Sequence, residues 1–238
     1  MINRTPDTIK HLIIINVIMF LATQAMPEQM YSLFAMHFPL NPLFRIWQII
    51  THMFMHAGIG HIAFNMYALW TFGSALHQVW GQKRFLIFYF VSGLGSILLY
   101  TAVQYYSFMQ DMHTLMEAGI PKEEIFEVLN SGKVFVQFKE MGRIYHGIML
   151  GASGAIYGLL VAFAFYFPNV EMMLMFIPYP VKAKYFVSIL VLGDLIFGLF
   201  GVADIFHSPI AHLAHVGGAV AGFIMMKMWG KYRHERWY

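Results

Sequence analysis

The chain has 238 residues, 59% hydrophobic and 11% charged, where an ordinary soluble domain has about 45–50% and about 25%. With a mean hydropathy of +0.60, that balance excludes an ordinary soluble enzyme and points to an all-α polytopic membrane protein forming one compact domain. The absence of cysteine excludes disulfide and thiolate chemistry, and a formal net charge of +3 reads as membrane orientation, with the lipid bilayer as partner and no nucleic acid expected.

A bilayer core about 30 Å thick needs about 20 apolar residues per helix. In chain order, six segments qualify: 9–28, 58–79, 85–107, 148–168, 185–203 and 210–229. Helices are expected in all of them, because lipid offers backbone groups no outside partner. Arg4 and Lys10 before Leu12–Phe20 resemble a signal peptide. The segment continues as LATQAMPEQM and more spans follow, so a retained first helix is expected.

Gly81-Gln82-Lys83-Arg84 separates spans two and three. Pro168 to Lys184, with Pro178 and Pro180, separates four and five, and Ser208-Pro209 separates five and six. The whole chain, 1–238, thus reads as a single six-helix membrane domain. Two other segments are not spans. Residues 27–50 carry Arg45 and Trp47. Residues 110–146 form a hydrophilic insertion in which 121–129 predicts a short amphipathic helix with Pro121 in its first turn and solvated carboxylates. Binding of substrate or partner and a merely solvated insertion both remain open for it.

Lys and Arg placement orients the bundle. With the N-terminus inside, ten basic residues fall on the inner side: Arg4, Lys10, Lys83, Arg84, Lys182, Lys184, Lys227, Lys231, Arg233 and Arg236. Five fall outside: Arg45, Lys122, Lys133, Lys139 and Arg143. The expectation is N-in and C-in. The short N-terminus, with no transit-like presequence, points to a bacterial inner membrane.

Polar groups inside these apolar runs carry the functional signal. Gly151-Ala152-Ser153-Gly154 opens span four, and AHLAHVGGAVAG places His215 early in span six. His61 and Asn65 lie in the first two turns of span two, four apart and so on one helix face. With N-in orientation, spans two, four and six all enter from the outer side, which puts Ser153, His215, His61 and Asn65 at one depth, roughly 5–12 Å below the surface. Gly154-x-x-x-Gly158 and Gly218-x-x-x-Gly222 let helix backbones approach closely. Packing of spans four and six through these glycines predicts the Ser153 hydroxyl within about 3.5 Å of a His215 ring nitrogen.

That pairing permits nucleophilic acyl transfer. A serine hydroxyl is a poor nucleophile unless a base takes its proton. His215 serves as base and then as acid toward the leaving amine. His61, Asn65 and the Ser153 backbone N–H are candidate donors to the oxyanion. No carboxylate is placed by spacing to orient His215; Asp194 and Asp204 are the nearest in sequence. The expectation is therefore a dyad, with the Tyr157 ring packed against the imidazole. Asp194, mid-span, is expected to be protonated or paired inside the bundle.

These residues resemble the rhomboid family of intramembrane serine proteases over most of the chain, from about Trp47 to Gly222. The matching features are Gly151-Ala152-Ser153-Gly154 with Tyr157; His56, His61 and Asn65 in HAGIGHIAFN; and Ala214-His215 followed by Gly218 and Gly222. The resemblance implies a six-helix core with a water-filled cavity open to the extracytoplasmic side and a Ser153–His215 dyad. It implies an oxyanion and substrate site drawing on His61, Asn65, Gly151 and Ala152, with His56 and Tyr157 in support. It also implies transmembrane protein substrates, cut within or beside a single span and admitted between spans two and five past a mobile fifth helix and a cap loop. No metal and no cofactor is implied. In the loop after span one, the family's frequent Trp-Arg stands here as Trp47-Gln48.

Two other functions fit part of the pattern. One is a catalytically inactive rhomboid-like protein that binds transmembrane segments. The other is a metal or haem protein, because His52/His56 and His212/His215 have helical ligand spacing; no HExxH accompanies them. His37, His52, His77, His207 and His212 are otherwise expected to be interfacial or structural, and the 19 methionines and 23 phenylalanines to be packing. Oligomeric state is left open.

Overall fold

The computed structural model describes residues 4–174, 177–200 and 212–229. Helix α1, Asp7–Ala25, starts after Pro6 with Asp7 in its first turn, where a carboxylate suits the helix dipole. It buries Ile9, Leu12, Asn16 and Thr23 and turns Ile14, Ile18 and Leu21 outward. Two of its polar side chains bond to their own helix: Asn16 Nδ2 donates to the Leu12 carbonyl and Thr23 Oγ1 to that of Met19, each at 2.7 Å. The connection after α1 holds helix α2 (Pro27–Phe34), strand β1 (Met36–His37) and helix α3 (Gln48–Thr51), followed by a 3₁₀ turn, His52–Phe54.

Helix α4, Ile59–Ala68, passes through a π turn at Leu69–Gly73 into α5, Ser74–Glu117. Gly81, at φ 73° and ψ 173°, breaks α5 into two legs, the break expected from Gly81-Gln82-Lys83-Arg84. The second leg runs to Glu117 instead of ending near 107. Phe108, Met112 and Leu115 explain the extension: they keep a helical apolar stripe going, buried against helices α6 (Lys122–Asn130) and α7 (Lys139–His146). The insertion therefore has an apolar cluster of its own, built on Phe108, Ile125, Leu129, Met141 and Tyr145. Pro121 caps α6 from outside its first turn, while Glu123, Glu124 and Glu127 are exposed.

Strand β2 (Ile148–Met149) pairs antiparallel with β1, Met36 opposite Met149. Helix α8, Ser153–Tyr166, is thus shorter than the expected 148–168, because its first five residues are spent on an extended pair and a turn. Strands β3 (Glu171–Leu174) and β4 (Ile177–Lys182) form a hairpin before helix α9, Ala183–Phe200. Helix α10 is His212–Trp229. The two short ribbons correct the purely helical expectation. The expected break at Ser208-Pro209, with Asp204 and His207, lies outside the described residues.

Two apolar runs among the described residues, Asp7–Ala25 and Ile59–Glu117, are long enough to cross a membrane, and Ser153–Tyr166 is a shorter apolar helix. Large apolar side chains stand exposed on these runs and on α9 and α10, such as Leu98 at 71% and Ile189 at 70%, the kind of surface that faces lipid in a membrane protein.

Candidate active site

Glycine contacts set the helix spacing at the site. A Cβ on Gly222 would lie 2.7 Å from the Gly158 Cα, and one on Gly218 would overlap the Gly154 carbonyl. Gly217 meets the Gly95 carbonyl of α5 in the same way, at 2.7 Å. The small-residue faces of α8 and α10 are therefore in backbone contact, as their spacing predicts.

That contact brings Ser153 and His215 together: His215 Nε2 lies 2.9 Å from Ser153 Oγ. Ser153 is the first residue of α8, not one some five residues into it. The reason is Gly151, whose φ of +124° and N–H bonded to the His52 carbonyl at 2.9 Å turn the chain just before the helix. The Ile156 N–H bonds back to Ala152 O at 3.1 Å, so the N–H groups of Ser153, Gly154 and Ala155 precede the helical ladder and point out of its N-terminus. The Tyr157 ring, one turn along α8, stacks on His215 with centroids 4.2 Å apart and planes 14° apart.

The His61 ring covers the same turn: a Cβ on Gly151 would meet its Nε2 at 2.8 Å and Ser153 Oγ at 3.7 Å. Asn65, 6% exposed, donates one amide N–H to the His61 carbonyl at 2.8 Å, which leaves the amide its second N–H. His56 is fully buried, its ring 4.9 Å edge-on from that of His61. Burial and the neighbouring His61 push the His56 pKa down to about 3, so it stays neutral. Burial likewise pushes His52 down to about 4; its Nδ1 bonds with the Gln48 carbonyl at 2.9 Å.

The expectation that no carboxylate reaches His215 is corrected. Asp194 of α9, 6% exposed, places Oδ2 3.2 Å from His215 Nδ1 and bonds through Oδ1 to His212 Nδ1. Asp194 is thus paired inside the bundle, and His212 belongs to the site's surroundings. Sequence spacing misses this because α9 and α10 are joined through a connection whose path no local pattern specifies; the one signal was an acidic residue inside an apolar run. Asp194, His212 and His215 bring ligand-type atoms within 4.8 Å of one another, and they are the described side chains best placed to hold a metal. His52 and His56 do not share such a cluster.

Gln48 sits where the sequence departs from the pattern, and it is fully buried. Its Oε1 accepts from the His37 and Arg45 backbone N–H groups at 3.3 and 3.1 Å, and its Nε2 donates to the Ser32 and Leu43 carbonyls at 2.9 and 3.0 Å. A neutral amide anchors the loop between α1 and α4 here.

A family profile described as the Rhomboid domain matches residues 43–232, which hold Ser153, His215, Asp194, His61 and Asn65. The chain belongs to the rhomboid family. It is a rhomboid family membrane protein. Rhomboid protease AarA of Providencia stuartii is 28% identical over 192 residues, 75% of this chain and 54% of that protein. An uncharacterized mitochondrial rhomboid protein of Schizosaccharomyces pombe is 26% identical over 208 residues, 78% of this chain and 52% of that protein. Rhomboid protease GluP of Bacillus subtilis is 44% identical over 52 residues, 21% of this chain and 10% of that protein. The chain thus spans about half the length of two of these rhomboid relatives and a tenth of the third.

Proposed function

We propose that this rhomboid is an intramembrane serine endopeptidase that cleaves single-span membrane proteins within or beside their transmembrane segment. The observation that carries the reading is the 2.9 Å approach of His215 Nε2 to Ser153 Oγ at the start of α8. Two relatives named as rhomboid proteases support it.

In this reading Ser153 Oγ attacks the scissile carbonyl carbon while its proton passes to His215 Nε2. The carbonyl oxygen gains negative charge beside the Ser153 backbone N–H, the His61 ring and the second Asn65 N–H, at the positive end of α8. His215 then returns the proton to the leaving amine, and water hydrolyses the acyl-enzyme by the same exchange. Gly151 matters because a side chain there would occupy the space under His61.

Six apolar segments give six spans and the basic-residue count favours both termini inside; in that arrangement the first turns of α4, α8 and α10 lie on the extracytoplasmic side, where water reaches a hydrolytic site. Bacterial relatives point to a bacterial inner membrane as the setting, and relatives named as mitochondrial mark an organelle membrane as the other. Ser153→Ala and His215→Ala should each abolish cleavage of a single-span reporter in proteoliposomes and leave the melting temperature close to wild type. Cleavage by Ser153→Ala would overturn the mechanism. A fluorophosphonate that fails to label Ser153 in the folded wild type would favour an inactive binder of transmembrane segments.

A further inference from the structure

We infer that Asp194 is a positioning residue for His215, so that the Ser153–His215 pair works as part of a Ser–His–Asp line supported by His212 and Tyr157; this rests on the proposed protease reading. A base must present a lone pair to the serine hydroxyl, which for His215 requires the tautomer protonated at Nδ1. A carboxylate only accepts hydrogen bonds, so Asp194 Oδ2, 3.2 Å from Nδ1, selects that tautomer and leaves Nε2 to face Ser153 at 2.9 Å. When the Ser153 proton arrives at Nε2, the imidazolium forms beside a buried anion, where charge is poorly screened and attraction is strong.

The surroundings are built to hold a carboxylate at this place. His212 and His215 are three apart on α10, one turn, and both direct Nδ1 at the same side chain of α9. His212 occupies Oδ1 and is itself buried, so the carboxylate cannot rotate without losing that bond. Tyr157 restrains the imidazole itself, its ring lying flat on that of His215 with centroids 4.2 Å apart. The Phe197 ring, one turn along α9 from Asp194, meets the His212 ring edge-on at 5.4 Å. His215 is therefore held on its face by α8, at Nδ1 by α9 and at its backbone by α10, three elements that need not converge on a histidine serving only to pack.

The test uses the full chain in proteoliposomes with a single-span reporter. Asp194→Asn, which keeps shape but removes the charge and offers a donor to Nδ1, should lower kcat by about 10- to 1,000-fold with KM within about twofold of wild type. Fluorophosphonate labelling of Ser153 should slow by a similar factor. Asp194→Glu should recover part of the loss. A merely structural role would lower the melting temperature and leave kcat per folded molecule unchanged. The wild type gives a second measurement that depends on no variant: nitrogen-15 NMR of labelled histidine should show His215 protonated at Nδ1 and bare at Nε2. A wild-type kcat in Asp194→Asn, the opposite tautomer at His215, or loss of wild-type activity on chelation, which would make the cluster a metal site, overturns the inference. Wild-type protein that neither cleaves nor labels overturns the protease reading instead, so the two failures are distinct.

Discussion

Gly222 of α10 rests against Gly158 of α8 so closely that a methyl group on Gly222 would lie 2.7 Å from the Gly158 Cα. This contact and the equivalent one at Gly218 set the distance between the helices that carry His215 and Ser153. Backbone cannot yield as a flexible side chain can, so a larger residue must push the helices apart. Gly222→Val should cost about 1–3 kcal/mol of stability by overpacking. It should also slow fluorophosphonate labelling of Ser153 more than a distant substitution of equal cost; equal slowing would separate helix spacing from serine reactivity.

Gly151 should tolerate no side chain. Its φ of +124° lies outside the range L residues favour, and a Cβ would press on the His61 ring at 2.8 Å. Gly151→Ala is expected to destabilise by about 1–3 kcal/mol from backbone strain and to reduce reporter cleavage more than stability alone explains. Activity per folded molecule, after correction by thermal denaturation, checks this.

Gln48 uses acceptor and donor atoms at once, so neither apolar nor cationic replacements fit. Gln48→Leu would leave the amides of His37 and Arg45 and the carbonyls of Ser32 and Leu43 without this partner, at a cost of roughly 2–4 kcal/mol by the usual penalty for unpaired buried groups. Gln48→Arg should also destabilise, because a guanidinium cannot accept from His37 and Arg45. Limited proteolysis in residues 35–47 should report the loosened loop.

His52 and His56 make stability depend on pH. Both are held neutral by burial, with pKa values of about 4 and about 3 against an ordinary 6.5. Below 6.5 the unfolded chain takes up protons that the folded chain refuses, so stability falls as pH drops from about 6.5 toward 4. Melting temperatures from pH 7.5 to 4.5 should decline, and His52→Gln should flatten part of that decline.

Asn65→Ala should reduce turnover about 100- to 1,000-fold under the proposed mechanism and leave detectable activity, because it removes the one amide N–H not committed to the His61 carbonyl. Unchanged turnover would remove Asn65 from the oxyanion site.

Much of the local structure was legible because it depends on near neighbours. The pairing of His61 with Asn65 and of Ser153 with Tyr157 follows from helical period, and the break at Gly81 from a glycine before charged residues. The approach of α8 to α10 was also legible, since Gly154, Gly158, Gly218 and Gly222 leave one narrow face on each helix. The start of α8 is not legible in the same way: Ile148 and Met149 are apolar enough for a span, but pair with β1 instead. The end of α5 is hidden for the related reason that Phe108, Met112 and Leu115 look like the edge of a polar loop until α6 and α7 are folded over them.

By itself, then, the amino-acid order determined where helices form, which faces are narrow, and that a hydroxyl and an imidazole lie early in alternate apolar segments, because these are consequences of a fixed helical period and of lipid's refusal of unpaired backbone. Tertiary structure alone decided which partners the buried polar groups take. Asp194 finds His215 and His212 from another helix, and Gln48 gathers four backbone groups from distant turns of one loop. Such pairings are settled by whichever donors and acceptors packing brings within about 3 Å, and a one-dimensional period contains no term for that distance.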